Sequence, residues 1–424
     1  MAARPFRAWR WVDRNMSRHE MSLARRDVLL TATAAIIPFV RESRAQTTDK
    51  LVLLDYISGP DGRTLNEYIA RFMKETPGLE ITRQRVPQNQ YQNVVLQRVA
   101  AGQPADILMI DNPMTPALAD AGILQPIDEY LNRLDMDKLY YPGPLSSVRW
   151  KGKTYALPNG NNAEVLVYNK RLIDAARLSV PTTQPELAEA AAKLTHGGVY
   201  GFCAAAYGGE ECTWNWLPYL WNRGGDLNEL NSQTAVDALA YWGAFVRKGY
   251  SPAAQLSWQT ADIEPRFVNG QLAMAMIGSW QLRKLDKEAR ALGLEYGIAV
   301  LPSAIEPGDK PIVPFGGEVV AIGAMQPEKA RAAWQFVQWL HKPQMQLQLI
   351  EQFGEVPNYL PLVDEFRADP SNAIMTAVFD EMPNSRSRTQ KLGARYYDVS
   401  AKLTVAIQSV MTGMAEPESA LAAI

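Results

Sequence analysis

The chain has 424 residues, with 43 Lys+Arg against 45 Asp+Glu and three histidines, a formal charge of −2. That balance argues against a nucleic-acid partner, which needs a basic face, and an apolar share of 47% suits a globular chain rather than a disordered one. The length exceeds one typical domain, so more than one core is expected, and three histidines disfavour His-rich metal centres.

The first element is a targeting segment, residues 1–45. Arg4, Arg7, Arg10, Arg14 and Arg18 precede the pair Arg25-Arg26 and an apolar run from Val28 to Val40. The run is shorter than the roughly 20 residues needed to span a bilayer but fits a signal-peptide core. Small residues at Ser43 and Ala45 place cleavage after Ala45. The twin arginines resemble a Tat signal; a Sec signal with a long basic start is the alternative. No cysteine adjoins the cut, so an exported, periplasmic protein without a lipid anchor is expected. Removing residues 1–45 takes nine arginines and four acids with it. That leaves 34 basic and 41 acidic residues, a mature charge of −7.

After the signal, short apolar runs alternate with amphipathic segments. Leu51–Leu54 reads as a strand buried on both faces, and Asp61-Gly62 as a turn. Leu65, Tyr68, Ile69, Phe72 and Met73 mark one face of a helix closed by Pro77-Gly78. Leu79–Val86 reads as a strand. Tyr91, Val94, Val95 and Val99 mark a helix closed by Gly102, and Ile107–Ile110 is a third strand. This order predicts a largely parallel sheet with ligand-facing loops at the carboxyl ends of its strands. Further on, Glu164–Asn169, Val199–Ala206 and Val319–Ile322 read as strands. Pro185–Leu194, Ala235–Val246 and Ala330–Ile350 read as helical.

Catalytic and cofactor motifs are scarce. No G-x-S-x-G elbow, P-loop or G-x-G-x-x-G is present. His341, before Pro343, is read as a cap on helix-end carbonyls, and His196 as another helix terminus. His196, Cys203 and Cys212 lack a fourth ligand and CxxC spacing, so no metal site is expected. An oxidising compartment favours a Cys203–Cys212 disulfide, contributing roughly 2–3 kcal/mol.

The positive signal is aromatic. Trp214, Leu217 and Trp221 share one helical face and are read as core. Trp280 ends a strand-like run and is read as a pocket wall. A flat ring matches the C–H face of a pyranose, and nearby Asp, Asn and Glu accept its hydroxyl protons.

Several segments, in order, carry a family resemblance. They include Phe72–Glu80, the Gly102–Leu108 step, Ala121–Asp128, and Tyr155-Ala156-Leu157-Pro158 followed by Val167-Tyr168-Asn169-Lys170. Phe267–Met274 with Gly278-Ser279-Trp280, Gly316-Gly317 before Val319–Ile322, and Gly354-Glu355-Val356-Pro357 complete the set. Together they resemble the extracellular solute-binding proteins of ABC importers, in the sugar-binding family that includes the maltodextrin-binding proteins.

The resemblance implies an α/β, two-lobed periplasmic-binding-protein fold of type II, with discontinuous lobes joined by hinge strands. One lobe is expected from 47–158 plus 308–352, the other from 159–307 plus 353–424. A carbohydrate, or a similar polar solute such as a polyol or glycerophosphodiester, would be enclosed by hinge closure. The closed form would be presented to the transmembrane subunits of an ABC permease. A monomer without catalytic activity or cofactor is expected; an exported glycan-active enzyme with a carboxylate pair in the cleft is the alternative.

The resemblance, with the positions after the strands, implies the candidate ligand residues. Ser58 follows the first strand. Asp111 either accepts ligand hydroxyls or caps the turn before Pro113. Asn159 and Asn161 either bridge ligand and hinge or serve turn chemistry. Trp280 corresponds to the family's stacking aromatic. Gly316 and Gly317 either offer bare N–H groups or form a bend. Glu318, Tyr207 and Trp258 complete the set. Arg386 and Arg388 either close the pocket rim, where they would suit a phosphate-bearing ligand, or are solvated.

Overall fold

A computed structural model describes residues 49–424 except 132–133, 303–304 and 324–325. The export segment expected at 1–45 lies outside the described residues.

Among the described residues, eight strands build the two larger sheets: β1 (Asp49–Asp55), β2 (Leu79–Arg85), β3 (Ile107–Asp111), β4 (Ala156–Pro158), β5 (Glu164–Asn169), β6 (Met274–Gly278), β7 (Tyr296–Ala299) and β8 (Glu318–Ile322). The first sheet has the order β2-β1-β3-β8-β4. Its β2-β1-β3 part is parallel, as the alternating pattern predicts. β8 and β4 are added antiparallel, with Glu318 opposite Asp111 and Val319 opposite Pro158. The sheet is therefore mixed, because β8 arrives from some 200 residues downstream rather than through a local crossover. All five residues of β3 are buried, as a central strand covered on both faces requires.

Helix α1 (Gly59–Glu75) lays Leu65, Tyr68, Ile69 and Phe72 on this sheet. The expected Asp61-Gly62 turn is corrected: both lie in its first turn, where Pro60 is tolerated because that N–H has no intrahelical partner. Phe72 meets Phe336 edge to face at 5.1 Å.

The second sheet has the order β6-β5-β7, all antiparallel. In β5, Leu166 enters one core with Trp216, Leu217, Trp242 and Ile407. Val165 and Val167 enter another with Ile263, Phe267 and Phe379, since successive side chains of a strand point to opposite faces. Helix α2 (Glu210–Trp221) supplies much of the first of these cores.

Three further expectations are corrected. Val199–Ala206 is not a regular strand and makes only the isolated bridges His196–Val199, Tyr200–Leu272 and Cys203–Ala275. It is pressed against the preceding helix: a Cβ on Gly201 would lie 2.0 Å from the Ala191 carbonyl oxygen. Ala330–Ile350 is two helices, α3 (Pro327–Leu340) and α4 (Pro343–Gln352), and Pro343 opens the second, where its missing N–H forfeits no intrahelical bond. His341 closes α3, with Nδ1 2.7 Å from the Val337 carbonyl; burial lowers its pKa to about 4. Cys203 and Cys212 are free thiols rather than a disulfide. They belong to different cores, and Cys203 points its sulfur at Gln255 Oε1, 3.3 Å away.

Between β4 and β5 the chain crosses from one sheet to the other through residues 159–163. There Asn161 bridges Val356 and Asn162 bridges Gly316, so three chain segments run side by side at the crossing.

Candidate ligand-binding site

A cavity of about 270 Å³ opens beside this crossing. The loop after β1 gives it Tyr56, Ile57 and Ser58. That loop is held by Arg83, which grips Asp55 with two bonds of 2.7 Å and also donates to the carbonyls of Ile57 and Gly62. The bidentate geometry fixes the strand end against the start of α1.

Asp111 and Glu318 reach the cavity side by side because the β3–β8 register pairs them. Asp111 is 7% exposed and is already engaged. Its Oδ1 accepts from Arg388 Nη2 at 2.8 Å, and its Oδ2 accepts from the Tyr397 hydroxyl at 3.3 Å. Arg388 Nη1 donates to Glu210 at 2.7 Å. Burial works against the Arg388 charge, but the two carboxylates outweigh it and hold the guanidinium firmly protonated. Burial raises the pKa of Glu210, and Arg388 pulls it back.

On the other side, the Tyr56 hydroxyl donates to Glu318 Oε1 at 3.0 Å. Glu355 lines the same cavity as Glu318, and its Oε1 accepts from Asn162 Nδ2 at 3.2 Å. Burial raises both carboxyl pKa values, and the Glu318 charge raises that of Glu355 further. Both causes act in one direction, toward the protonated form of the pair.

The aromatic wall is a pair. Trp280 stacks on Trp214 with ring centres 5.6 Å apart and planes 14° from parallel. The Trp214 indole N–H donates to the Pro314 carbonyl at 3.1 Å, and the Arg388 guanidinium lies 5.5 Å from its ring centre. A Cβ on Gly278 would sit 2.3 Å from the Trp280 ring, so only glycine lets the indole lie back over its own strand end.

Of the sequence-derived candidates, Ser58, Asp111, Trp280, Gly316, Gly317 and Glu318 line the cavity. The bare N–H role for Gly316 is corrected: its N–H donates to the Asn162 carbonyl at 2.8 Å. Both glycines serve close approach. A Cβ would lie 2.1 Å from Asn162 Oδ1 at Gly316 and 2.2 Å from the Gly160 carbonyl at Gly317. Asn159 and Asn161 sit at the crossing but do not line the cavity. Asn159 accepts from Gln346 at 3.1 Å, and Asn161 is committed to its backbone bridge with Val356.

Tyr207 and Trp258 also lie outside the lining. Tyr207 is 40% exposed, and Trp258 is covered by Arg266 at 3.8 Å from its ring centre. The helical-stripe reading placed Trp214 in the core, yet it forms the cavity wall with Trp280. Arg388, read as closing the pocket rim or solvated, lines the cavity, as does Asn162 at the crossing; Glu210 and Glu355 were missed as ligand candidates, though Gly354–Pro357 already stood out as a motif. Arg386 donates to Asp226 and covers Trp221 away from the lining.

A family model described as bacterial extracellular solute-binding protein matches residues 67–373. The chain belongs to that family. A maltotriose-binding protein of Pyrococcus abyssi is 25% identical over 314 residues, covering 70% of this chain and 63% of its own length, less than two thirds of that relative. A solute-binding protein from Thermotoga lettingae, solved with alpha-D-tagatose, superposes with a TM-score of 0.76 at 22% identity, covering 88% of this chain and 97% of that one. One from Agrobacterium radiobacter, solved with ribitol, gives 0.75 at 25% identity over 88% and 96%. The architecture is that of the two-lobed, type II binding proteins, helix-rich around two sheets.

Proposed function

We propose that this solute-binding protein captures a carbohydrate or polyol of mono- or disaccharide size between two lobes and delivers it to an ABC permease. The observation that carries this reading is the Trp214–Trp280 stack set among carboxylates at the crossing between the sheets. An indole face covers the C–H side of a sugar ring while carboxylates accept its hydroxyl protons. The cavity volume, near the lower end of the roughly 300–1,000 Å³ usual for ligand pockets, suits a short ligand. The relatives support it, being named or solved with maltotriose, tagatose and ribitol.

The lobes follow the sheets: residues 47–158 plus 308–352 form one and 159–307 plus 353–424 the other, with the crossing segments as hinge. Ligand contacts to both sides would favour the closed state. Ser58, Asp111, Trp280, Gly317 and Glu318 belong to the contact set, joined by Trp214, Asn162, Glu355 and Arg388. The protein works in the periplasm as a monomer, after removal of residues 1–45.

The relatives are binding proteins by name, which favours reception over catalysis. Thermal melting against a panel of sugars and polyols, with product analysis of the same mixtures, tests the reading. Stabilisation by about 2–4 kcal/mol is expected at saturating ligand, with the ligand recovered unchanged. Turnover would refute the receptor.

A further inference from the structure

Six carboxylates line the cavity, Asp61, Asp111, Glu210, Glu211, Glu318 and Glu355, against one cationic side chain, Arg388. Arg388 is already neutralised, because Asp111 and Glu210 hold its two terminal nitrogens. Among the described residues, Glu318 and Glu355 have no cationic partner. Their donors are uncharged, the Tyr56 hydroxyl and the Asn162 amide. Glu355 is 1% exposed, and its Oε2 receives no donor.

A buried carboxyl pair without a counter-ion has two ways to avoid its own repulsion. It keeps a proton between the two groups, or it takes up a cation. The aromatic wall adjoins the pair: Gly354, next to Glu355, is so close to Trp280 that a Cβ there would lie 2.7 Å from the Trp280 Cα. An indole is also the best aromatic partner for a cation. A neutral sugar would leave the pair as it is. A phosphorylated one would meet an excess of carboxylate, with the single guanidinium already paired.

We propose that the solute carries a basic nitrogen: an amino-substituted sugar or polyol whose ammonium seats against Glu318 and Glu355 while its ring lies on Trp280. This rests on the receptor reading and narrows its ligand class. Seating the ammonium favours the ionised form of both carboxyls, so any proton the pair holds leaves to solvent on binding.

The test is calorimetric titration of the full chain with matched triplets. They are D-glucosamine, N-acetyl-D-glucosamine and D-glucose, and the galacto and manno counterparts. At pH 7 one amine should bind at least tenfold more tightly than its own N-acetyl and parent forms. Heats measured in two buffers of different ionisation enthalpy should show proton release. Glu318→Gln and Glu355→Gln should lose the preference for the amine; the proton count on the unaltered protein stands even if a variant fails to fold. A parent sugar binding as tightly as its amine overturns the proposal and leaves the receptor reading intact. If every member of the triplets, and sugars at large, leave the protein's melting unchanged, both fall together.

Discussion

Arg388 and Asp111 meet at 2.8 Å although 277 residues separate them. Asp111 ends a strand of the five-stranded sheet, while Arg388 stands just before the helix α5 (Tyr396–Met411) that packs in the second core. The pair therefore ties the five-stranded sheet to the segment ahead of α5 across the cavity. Its side chains are 2% and 10% exposed, so removing one partner strands a buried charge. Arg388→Met should cost about 3–5 kcal/mol, because it leaves both Asp111 and Glu210 uncompensated. Asp111→Asn should cost less, since Glu210 still neutralises the guanidinium. Urea denaturation midpoints would show this order; equal small losses would mean that the pair is solvated.

The seat of Trp280 gives a second expectation. Gly278→Ala adds one methyl group, which would lie 2.3 Å from the indole. The ring must move while every polar contact in the cavity stays. Ligand affinity should fall by roughly tenfold, matching loss of about 1.4 kcal/mol of stacking. The overall fold should survive, as the site lies at a strand end. Titration followed by tryptophan fluorescence, with the melting temperature as control, would show it. Full affinity in this variant would mean that Trp280 does not touch the ligand.

Stability should depend on pH in a direction set by the buried acids. Burial raises the pKa of Glu164 to about 8, with the Glu211 charge adding to it. Glu211, Glu318, Glu355 and Glu381 are also raised, burial being the first cause in each. An acid whose folded pKa lies above its unfolded value binds more protons in the folded state. Its stabilising effect is full below the unfolded value, near 4.5, and fades as pH rises toward the folded one. The protein should be more stable at pH 5 than at pH 8, with Glu164 alone accounting for about 3 kcal/mol. Glu164→Gln can still accept the hydroxyl of Thr260, which now donates to Glu164 at 3.2 Å, and should flatten the profile between pH 5 and 8. Denaturation curves across that range would decide; a stability rising with pH would contradict the burial of these groups.

What the sequence made legible was local or motif-borne. Apolar runs located β1, β3 and β8, the segment after Pro158 marked the crossing between the sheets, and the Gly278-Ser279-Trp280 and Gly354–Pro357 motifs carried Trp280 and Glu355 of the cavity. The parallel order failed at β8 and β4 because antiparallel insertion of a distant strand leaves no trace in the spacing of neighbouring elements. Trp214 was misplaced because helical periodicity says which face a residue shares, not whether that face meets core or cavity. Arg388 and Glu210 lie 178 residues apart, and no sequence pattern links a buried ion pair across that distance. Asn161 and Asn162 are adjacent in sequence, and only the backbone bridges decide which of them faces the cavity.

The thiols supply the last prediction. An oxidising compartment favours a disulfide only where the two sulfurs can meet. Here Cys203 lies in the core with Val165 and Phe267, and Cys212 in the one with Trp216 and Leu217, on opposite faces of the β5 layer. Both are fully buried. Burial raises both thiol pKa values, that of Cys212 to about 12, so little reactive thiolate forms near neutral pH. Ellman's reagent should find no thiol in the folded protein and two after unfolding in guanidinium. Reductant should leave the melting temperature unchanged, whereas a disulfide closing so short a loop would lose roughly 2–3 kcal/mol on reduction. A thiol count of zero in denaturant would establish the bond and require the segment 199–212 to be packed differently.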